Sequence, residues 1–261
     1  MIPKIIHYCW LSGEPVPASL QTYMDGWKTF FPDYQFMLWT KDSFDIDGVP
    51  FVKQACSVRK WAFAADYIRL YALHTYGGIY LDSDVEIVKP FDTFMQYGFF
   101  TSMEYHFRDA KRLGTFDLIN SDGSSKVKHT PKPGICLQAA IMGSVPGHPF
   151  VKQCLDYYQG KDFILPDGSL NNKVILPDIL AMNAEDFGFR YLDVEQELSY
   201  DMHIFPSRYF AGCEDEVETG CYAIHHCAGS WRDPDNSFMG RLKVKARELL
   251  KKMRRAGRRT T

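Results

Sequence analysis

The 261-residue chain lacks long apolar runs and paired-cysteine motifs. No stretch reaches the ~20 apolar residues that span a bilayer as a helix, so no transmembrane segment is predicted. The seven cysteines are odd in number and have no CxxC spacing, which favours reduced thiols over a disulfide framework. Met1 leads directly into a strand-like run, so we expect no signal peptide and a cytoplasmic protein. Zinc is disfavoured at Cys221 and Cys227, because further ligands at close spacing are missing.

The chain also has little net charge, −2, but this value hides an asymmetry. Residues 241–261 contain ten basic residues and one acidic residue, whereas residues 1–240 carry a net charge of −11. One apolar stripe runs along the helix predicted for this tail. We therefore expect a single domain over 1–240 and a basic amphipathic tail over 241–261 that contacts an anionic membrane peripherally. A solvated tail is the alternative, and nucleic acid is a third option that we do not expect as the partner.

The first forty residues predict a strand, a helix and a second strand. Residues 1–10 open with a short apolar strand, and residues 17–32 place apolar side chains on one helical face. A second apolar strand follows at residues 34–40. This order and spacing are typical of a βαβ unit, which indicates an α/β fold with a parallel sheet.

Residues 57–90 predict a helix, a break and another strand. Apolar residues such as Ile68 and Leu73 recur at helical spacing, so one face of this helix is apolar. Gly77 and Gly78 are expected to end the helix, because glycine adopts left-handed backbone conformations at little cost. The β-rich run that begins at Ile79 then leads to two aspartates.

These aspartates, Asp82 and Asp84, form a DxD motif. Residues i and i+2 of a strand point to the same face, so we expect the two carboxylates to converge and to repel each other unless a cation lies between them. Mg²⁺ and Mn²⁺ both suit oxygen ligands. Upstream, Asp66 and Arg69 lie on one helix face at i, i+3 spacing. An isolated DxD is usually a solvated turn, but the preceding helix, glycines and strand favour a ligand site at the carboxyl end of a strand.

Three runs of this sequence resemble glycosyltransferase family 32, a family of DxD sugar transferases with bacterial capsular-polysaccharide members. The runs are IPKIIHYCWLSG near the start, AFAADYIRLYALHTYGGIYLDSDVEIVKPFD in the middle and YAIHHCAGSW near residue 230. The central run is also similar to the catalytic core of the large clostridial glucosylating toxins. The resemblance implies a GT-A-like (Rossmann-like) α/β fold, a mostly parallel sheet flanked by helices.

The resemblance implies a nucleotide-sugar pocket at the start of the chain and beside the DxD. It places Trp10 against the nucleotide base, where a flat indole can stack, and Tyr80 in the donor pocket. Core packing is the alternative for both residues. It also places Ser230 and Trp231 in a loop that closes over the diphosphate.

The resemblance assigns the donor sugar to Asp66 and Arg69. Asp66 would accept hydrogen bonds from sugar hydroxyls, and Arg69 would reach the sugar or its phosphate. A structural salt bridge between the two is the alternative. The family usually has serine where this chain has Ala65, so any hydrogen bond from that hydroxyl is lost. The family often has an asparagine in the strand that matches ICLQAAIMGS, and this chain offers Gln138 there. In distantly related retaining transferases a glutamine lies near the reacting face of the sugar, and the resemblance implies that role for Gln138. A strand residue satisfied by the backbone is the alternative.

His225 and His226 lie in the last family motif. Successive side chains of a strand alternate between faces, so only one of the two is expected to face the metal, and spacing does not decide which. Neutral imidazole is an acceptable third ligand beside Asp82 and Asp84. A histidine pair with one core and one surface member is the alternative.

The expected function is metal-dependent, retaining transfer of a hexose from a nucleotide diphosphate sugar, UDP-sugar favoured, to a glycan of capsular or surface polysaccharide. The cofactor is Mn²⁺ or Mg²⁺, and the acceptor is an oligosaccharide or lipid-linked glycan at the inner face of the plasma membrane. The alternatives are a metal-dependent nucleotide-sugar hydrolase or phosphodiesterase and a non-catalytic glycan-binding protein. The polar residues 108–133 predict either a mobile loop that covers the site or contacts the acceptor, or a disordered surface excursion.

Overall fold

The computed structural model describes residues 1–212 and 220–227. These residues belong to one compact unit. Its helices are α1 (Ala18–Phe30), α2 (Pro50–Ser57), α3 (Trp61–Tyr76), α4 (Phe107–Arg112), α5 (Pro149–Asp156) and α6 (Leu176–Ala184). Its strands are β1 (Ile5–Cys9), β2 (Gln35–Trp39), β3 (Gly78–Leu81), β4 (Val85–Ile87), β5 (Phe99–Tyr105), β6 (Ile135–Leu137), β7 (Ile141–Ser144), β8 (Gln196–Leu198), β9 (Met202–Phe205), β10 (Phe210–Ala211) and β11 (Ala223–His225).

The larger sheet has the strand order β2-β1-β3-β7-β5-β9-β8, and β6 pairs with β5. Strands β1, β2, β3, β5 and β9 run in one direction, while β6, β7 and β8 run in the other. The predicted α/β architecture, a mostly parallel sheet flanked by helices, is therefore confirmed. The predicted β1-α1-β2 unit is parallel, with Ile5 opposite Gln35. The sequence did not predict that β7 would run antiparallel between β3 and β5.

Helix α3 and strand β3 confirm the predicted helix, glycine break and strand. Gly77 ends α3 with φ +65°, and Gly78 begins β3 with φ +104°. A Cβ at Gly78 would lie 2.6 Å from the carbonyl oxygen of Ile5, so a side chain there would collide with β1. The two glycines allow the chain to reverse from helix to strand while β3 packs directly against β1.

Apolar side chains fill both faces of the larger sheet. One cluster joins α2, α3, α5 and α6 to the sheet around Ile68, Met142 and Leu180. A second cluster, around Trp27, Phe91 and Phe100, covers the opposite face and includes α1. Burial on this scale stabilises the sheet by roughly 25 cal/mol for each Å² of apolar surface removed from water. The carboxyl ends of β1 and β3 remain at one edge between these layers.

A smaller sheet has the order β10-β11-β4. Strand β4 follows the DxD motif, and β11 pairs with it in antiparallel fashion, with His225 opposite Val85. The pairing joins two segments that are about 140 residues apart in the sequence. It therefore brings residues 223–225, which belong to the last family motif, to the end of β3.

Two local features carry no strong sequence signal. Helix α2 begins at Pro50, where proline at the first helical position supplies a suitable φ. The run 135–144 divides into β6 and β7 around residues 138–140. Among the described residues, no helix combines the length and apolar character that crossing a membrane requires. The 241–261 tail lies outside the described residues, so the domain boundary at 240 stays a prediction.

Candidate active site

Asp82 and Asp84 lie in a tight turn and not in a strand, so the predicted strand geometry is wrong. Strand β3 ends at Leu81, and the backbone N–H of Val85 donates to the carbonyl of Asp82 at 3.0 Å, which closes the turn. The backbone N–H of Asp82 donates to Ala140 at the start of β7. The carboxylates nevertheless converge, because the turn folds both side chains toward one point at the carboxyl end of β3.

His225 completes a group of three potential metal ligands. Because β11 pairs with β4, its last residue lies beside the DxD turn, and His225 Nε2 is 3.4 Å from Asp84 Oδ1. One ligand atom from each of Asp82, Asp84 and His225 lies within 4.8 Å of the other two. Two carboxylate oxygens and one imidazole nitrogen can therefore share a single small ion.

His226 points away from this group. Its Nε2 lies 2.8 Å from Glu86 Oε2, and its ring stacks on Tyr23 at a centroid separation of 4.4 Å. Its backbone N–H donates to the carbonyl of Asp84. Of the two predicted ligands, the structure therefore brings only His225 to the aspartates, as strand alternation requires, and His226 braces the smaller sheet against α1.

The electrostatics of the group favour an added positive charge. Burial disfavours protonated His225, but contacts with Asp84 and Cys227 outweigh it and raise the pKa of His225 well above its ordinary value. The carboxylate of Asp84, together with Cys227, thus favours a proton on the neighbouring imidazole. The Cys227 contact, with Sγ 3.6 Å from His225 Nδ1, was not predicted from the sequence.

The donor set fits a hard or borderline divalent cation. Carboxylate oxygens with one imidazole suit Mn²⁺ and are compatible with Mg²⁺. The spacing of the three ligand atoms is small enough for one ion, and the carboxylate of Asp84 lies 3.4 Å from His225 Nε2. Asp82, Asp84 and His225 are thus the described residues that would hold such a cation.

Arg69 connects the DxD turn to helix α3. Its Nη2 lies 3.1 Å from Asp66 Oδ1 and 3.4 Å from Asp82 Oδ1, and its Nη1 donates to the carbonyl of Ala139 at 2.7 Å. Its Nε contacts the carbonyl of Ala65 at 3.4 Å. All three guanidinium nitrogens therefore contact protein acceptors. The salt bridge considered as an alternative is present, and it extends to the DxD.

Burial affects the two partners of this salt bridge differently. Burial, with a smaller effect of Asp82, outweighs the influence of Arg69 and raises the pKa of Asp66 to about 7. Burial also acts against the charge on Arg69, but Asp82, Tyr80 and Asp66 outweigh burial and raise the pKa of Arg69. The guanidinium therefore stays charged, while Asp66 gains or loses its proton near neutral pH.

Tyr80 supports the DxD from inside the core. Its hydroxyl donates to Asp82 Oδ1 at 2.8 Å, and the guanidinium of Arg69 lies over its ring, 4.6 Å from the centroid. Burial raises the pKa of Tyr80, so the phenol stays protonated and remains a donor. The side chain is only 1% exposed. Tyr80 is therefore a buried residue in this structure, and its place in the donor pocket stays a prediction.

Gln138 lies in the link between β6 and β7. Its Oε1 accepts a hydrogen bond from the backbone of Ala140 at 3.0 Å, while its Nε2 is buried without a hydrogen-bond partner among the described residues. The same link supplies the carbonyls that bind Arg69 and Asp82. Gln138 thus holds the backbone that supports the site. These carbonyls carry no sequence signal, because any residue type can supply them.

Trp10 follows β1 at the same edge of the sheet as Asp82. Strands β1 and β3 are parallel, with His7 opposite Tyr80, so both strands end on this edge. Trp10 is half-buried and lines a cavity of about 220 Å³ between α1 and the ends of β1 and β2. His7 and Trp39 are buried core residues, and Trp39 Nε1 donates a hydrogen bond to His7 Nδ1 at 3.2 Å. Ser230 and Trp231 lie outside the described residues.

Separate substitutions of the two histidines should have different effects. His225→Ala removes a nitrogen ligand and is expected to weaken Mn²⁺ binding about tenfold or more. His226→Ala removes the contacts with Glu86 and Tyr23, so it should lower the melting temperature and leave Mn²⁺ affinity nearly unchanged. Calorimetric titration with Mn²⁺ and thermal unfolding measure the two effects. Equal loss of Mn²⁺ affinity in both variants would contradict this assignment.

Comparisons with known proteins match part of this chain to glycosyltransferases. Residues 17–100 match the family model described as the glycosyltransferase sugar-binding region containing the DXD motif. The chain is 30% identical over 156 residues to inositol phosphoceramide mannosyltransferase 3 of Schizosaccharomyces pombe, an alignment that covers 58% of this chain and 36% of that protein. It is 33% identical over 103 residues to the initiation-specific alpha-1,6-mannosyltransferase of Saccharomyces cerevisiae, covering 35% and 22%.

Among solved structures, PaToxG glycosyltransferase superposes with a TM-score of 0.48 at 16% identity, covering 71% of this chain and 69% of that one. The chain spans about a third of the length of the first curated relative. The matched residues 17–100 contain Asp66, Arg69, Asp82 and Asp84. Residues 17–100 of this chain therefore match the DXD sugar-binding region of glycosyltransferases.

Proposed function

We propose that this chain transfers a hexose from a nucleotide diphosphate sugar to a hydroxyl group of a glycan or glycolipid, with a divalent cation held by Asp82, Asp84 and His225. The observation that carries the proposal is the convergence of these three side chains beside the buried Asp66–Arg69 pair. A cation bound there would neutralise the negative charge that develops on the departing diphosphate.

The protein groups around the DxD have distinct proposed roles. Asp66 would accept hydrogen bonds from hydroxyls of the donor sugar. Because its three nitrogens contact protein acceptors, Arg69 would orient Asp66 and Asp82 and not bind phosphate directly. Tyr80 would fix Asp82 through its hydroxyl. Preorganised groups of this kind lower a barrier because they need little rearrangement during the reaction.

The donor sugar and its base are separate parts of the proposal. The names of the curated relatives favour mannose as the transferred sugar. The resemblance of Trp10 to a base-stacking tryptophan favours uracil. The family resemblance implies that the anomeric configuration is retained. UDP-hexoses and GDP-mannose are accordingly the donors to compare.

The acceptor is also part of the proposal. The family resemblance favours a capsular or surface polysaccharide, including a lipid-linked one, and the first relative is named for an inositol phosphoceramide acceptor. Both kinds of acceptor can be borne on a lipid. We propose that the protein works in the cytoplasm, on the inner face of the plasma membrane.

A donor screen tests the proposal directly. The purified chain is incubated with Mn²⁺ and UDP-glucose, UDP-galactose or GDP-mannose, with and without oligosaccharide or inositol phosphoceramide acceptors, and release of UDP or GDP is measured. We expect one donor to raise the melting temperature only with Mn²⁺ present, and its nucleotide release to require an acceptor. Acceptor-independent release would favour a hydrolase instead. Glycan binding without turnover would favour a binding protein.

A further inference from the structure

Exposed apolar side chains concentrate on the segment that follows β5. Fourteen large apolar side chains among the described residues are strongly exposed, and five of them fall within residues 107–127. This segment is about a tenth of the described chain, so the five are not randomly scattered. The apolar patch consists of Phe107, Leu113, Phe116, Leu118 and Val127, with exposed fractions of 54%, 50%, 36%, 43% and 63%.

Contacts within the segment bring several of these residues close together. The ring centroids of Phe107 and Phe116 are 5.6 Å apart. Phe116 and Leu118 belong to the same 3₁₀ turn. The backbone N–H of Lys126 donates to the carbonyl of Leu118 at 3.0 Å, which brings the backbone next to Val127 close to Leu118. Exposed apolar side chains that cluster in this way usually mark an interaction site.

The segment is tied to the domain beneath it. The ammonium group of Lys132, whose side chain is buried, donates to the carbonyls of Val127 and Thr130 at 3.2 and 2.7 Å. Thr115 donates through its hydroxyl to the carbonyl of Pro133 at 2.6 Å. The disordered excursion considered for residues 108–133 does not describe this arrangement. The apolar side chains thus face outward from a fixed backbone.

Basic residues alternate with the apolar patch residues along this segment of the sequence. Residues 107–128 contain five basic and three acidic residues, a net charge of +2, whereas the rest of residues 1–240 has a net charge of −13. The basic residues are Arg108, Lys111, Arg112, Lys126 and Lys128. Apolar side chains bordered by lysine and arginine match an anionic lipid surface, because the chains enter the acyl boundary while the cations stay among the headgroups.

The patch lies toward the same edge of the sheet as the DxD. Strands β3 and β5 both run antiparallel to β7, so they point in the same direction and their carboxyl ends share one edge. Asp82 directly follows β3, and α4 begins two residues after β5. A surface bound to the patch would therefore lie on the side of the domain where the proposed donor binds.

We propose that the apolar patch docks on an anionic phospholipid surface, with Phe107 and Phe116 inserted among the headgroups and the basic residues beside lipid phosphates. This inference goes beyond the proposed transfer reaction, because binding to lipid needs neither donor nor metal. It would bring a lipid-borne acceptor to the carboxyl edge of the sheet. The basic 241–261 tail is not required for this contact.

Vesicle binding by the full chain tests this proposal. The protein is sedimented with phosphatidylcholine vesicles that contain or lack phosphatidylserine. We expect stronger binding to the phosphatidylserine vesicles, and a loss of about tenfold or more in Phe107→Ser/Phe116→Ser, since two aromatic side chains no longer leave water. Arg108→Gln/Lys111→Gln should weaken binding to phosphatidylserine vesicles only. Amide hydrogen exchange of residues 107–118 should slow on vesicles.

Leu165→Ser/Val58→Ser is the matched control, because it removes two exposed apolar side chains outside the patch. It should bind vesicles like the unaltered chain. Unchanged binding in Phe107→Ser/Phe116→Ser would show that another part, such as the tail, makes the contact, and would overturn the proposal. Absence of vesicle binding by the unaltered chain would overturn it as well, and a protein partner would then be the better explanation. Failure of vesicle binding would leave the proposed transfer reaction untouched, because donor-dependent turnover is measured in solution without vesicles.

Discussion

Asp84→Asn is expected to lower kcat/KM for sugar transfer about 1000-fold or more, a loss of roughly 4 kcal/mol of transition-state stabilisation. The substitution keeps the shape of the side chain but removes the charge that faces His225 Nε2 at 3.4 Å. One carboxylate would then remain in the group of three ligands, so cation affinity should fall as well. Thermal unfolding with and without Mn²⁺ measures this second loss, and nucleotide release measures the first.

Asp92→Asn is the control for this substitution, because Asp92 is exposed in the 3₁₀ turn after β4 and lies outside the group of three ligands. It should leave turnover and Mn²⁺-induced stabilisation unchanged. Asp82→Asn is a less specific test, because it also removes an acceptor from Tyr80 and a partner from Arg69. If Asp84→Asn keeps Mn²⁺-dependent turnover within tenfold of the unaltered chain, the proposed cation site is wrong.

Arg69→Met is expected to lower the free energy of unfolding by about 3 kcal/mol at pH 8, because it leaves two buried or partly buried carboxylates without their cation. The side chains of Arg69, Asp66 and Asp82 are 5%, 13% and 24% exposed, so water compensates little for the loss. The carbonyl of Ala139 also loses its donor. Denaturant unfolding at several pH values measures the effect.

The direction in which the destabilisation by Arg69→Met changes with pH follows from the pKa of Asp66. Its folded-state pKa, about 7, lies above the ordinary 3.8, so the folded state binds more protons and this group favours folding less as pH rises through that range. Arg69 lowers this pKa, so Arg69→Met should raise it further. The destabilisation by Arg69→Met should therefore be smaller at pH 5, where Asp66 is protonated, than at pH 8. Adding Asp66→Asn to Arg69→Met should restore part of the lost free energy of unfolding at pH 8.

Arg112→Met provides a matched control for this experiment. Asp109 and Arg112 have the same i, i+3 spacing and a separation of 2.9 Å, but their side chains are 56% and 67% exposed. An exposed ion pair contributes about 0–1 kcal/mol, so Arg112→Met should have little effect at any pH. A similarly small effect of Arg69→Met, or one that does not change with pH, would contradict the buried network described for Arg69.

Several features of the site could be predicted from the sequence because they are local. The pairing of Asp66 with Arg69 follows from the i, i+3 geometry of a helix, and the end of α3 follows from Gly77 and Gly78. The convergence of Asp82 and Asp84 was predicted correctly, but for the wrong reason. The short spacing keeps the two carboxylates close in a strand and in a turn alike, so the conclusion did not depend on which one forms.

Other features depend on contacts between distant segments. The choice of His225 over His226 depends on the β11–β4 register, in which His225 faces Val85, and a shift by one residue would exchange the two histidines. The link 138–140 lies beside Arg69 and Asp82 only because β7 runs antiparallel next to β3. Backbone carbonyls there have no residue preference, so the sequence contains no sign of their role.

The sequence by itself determined the helix–glycine–strand unit, the acidic motif and the family resemblance, because these depend on spacing along continuous stretches of the chain. Only the tertiary structure decided which histidine joins the aspartates, which acceptors surround Arg69 and where the apolar patch lies. Strand order and register result from hydrogen bonds and apolar burial summed over the whole domain, and no local run of residues specifies that sum.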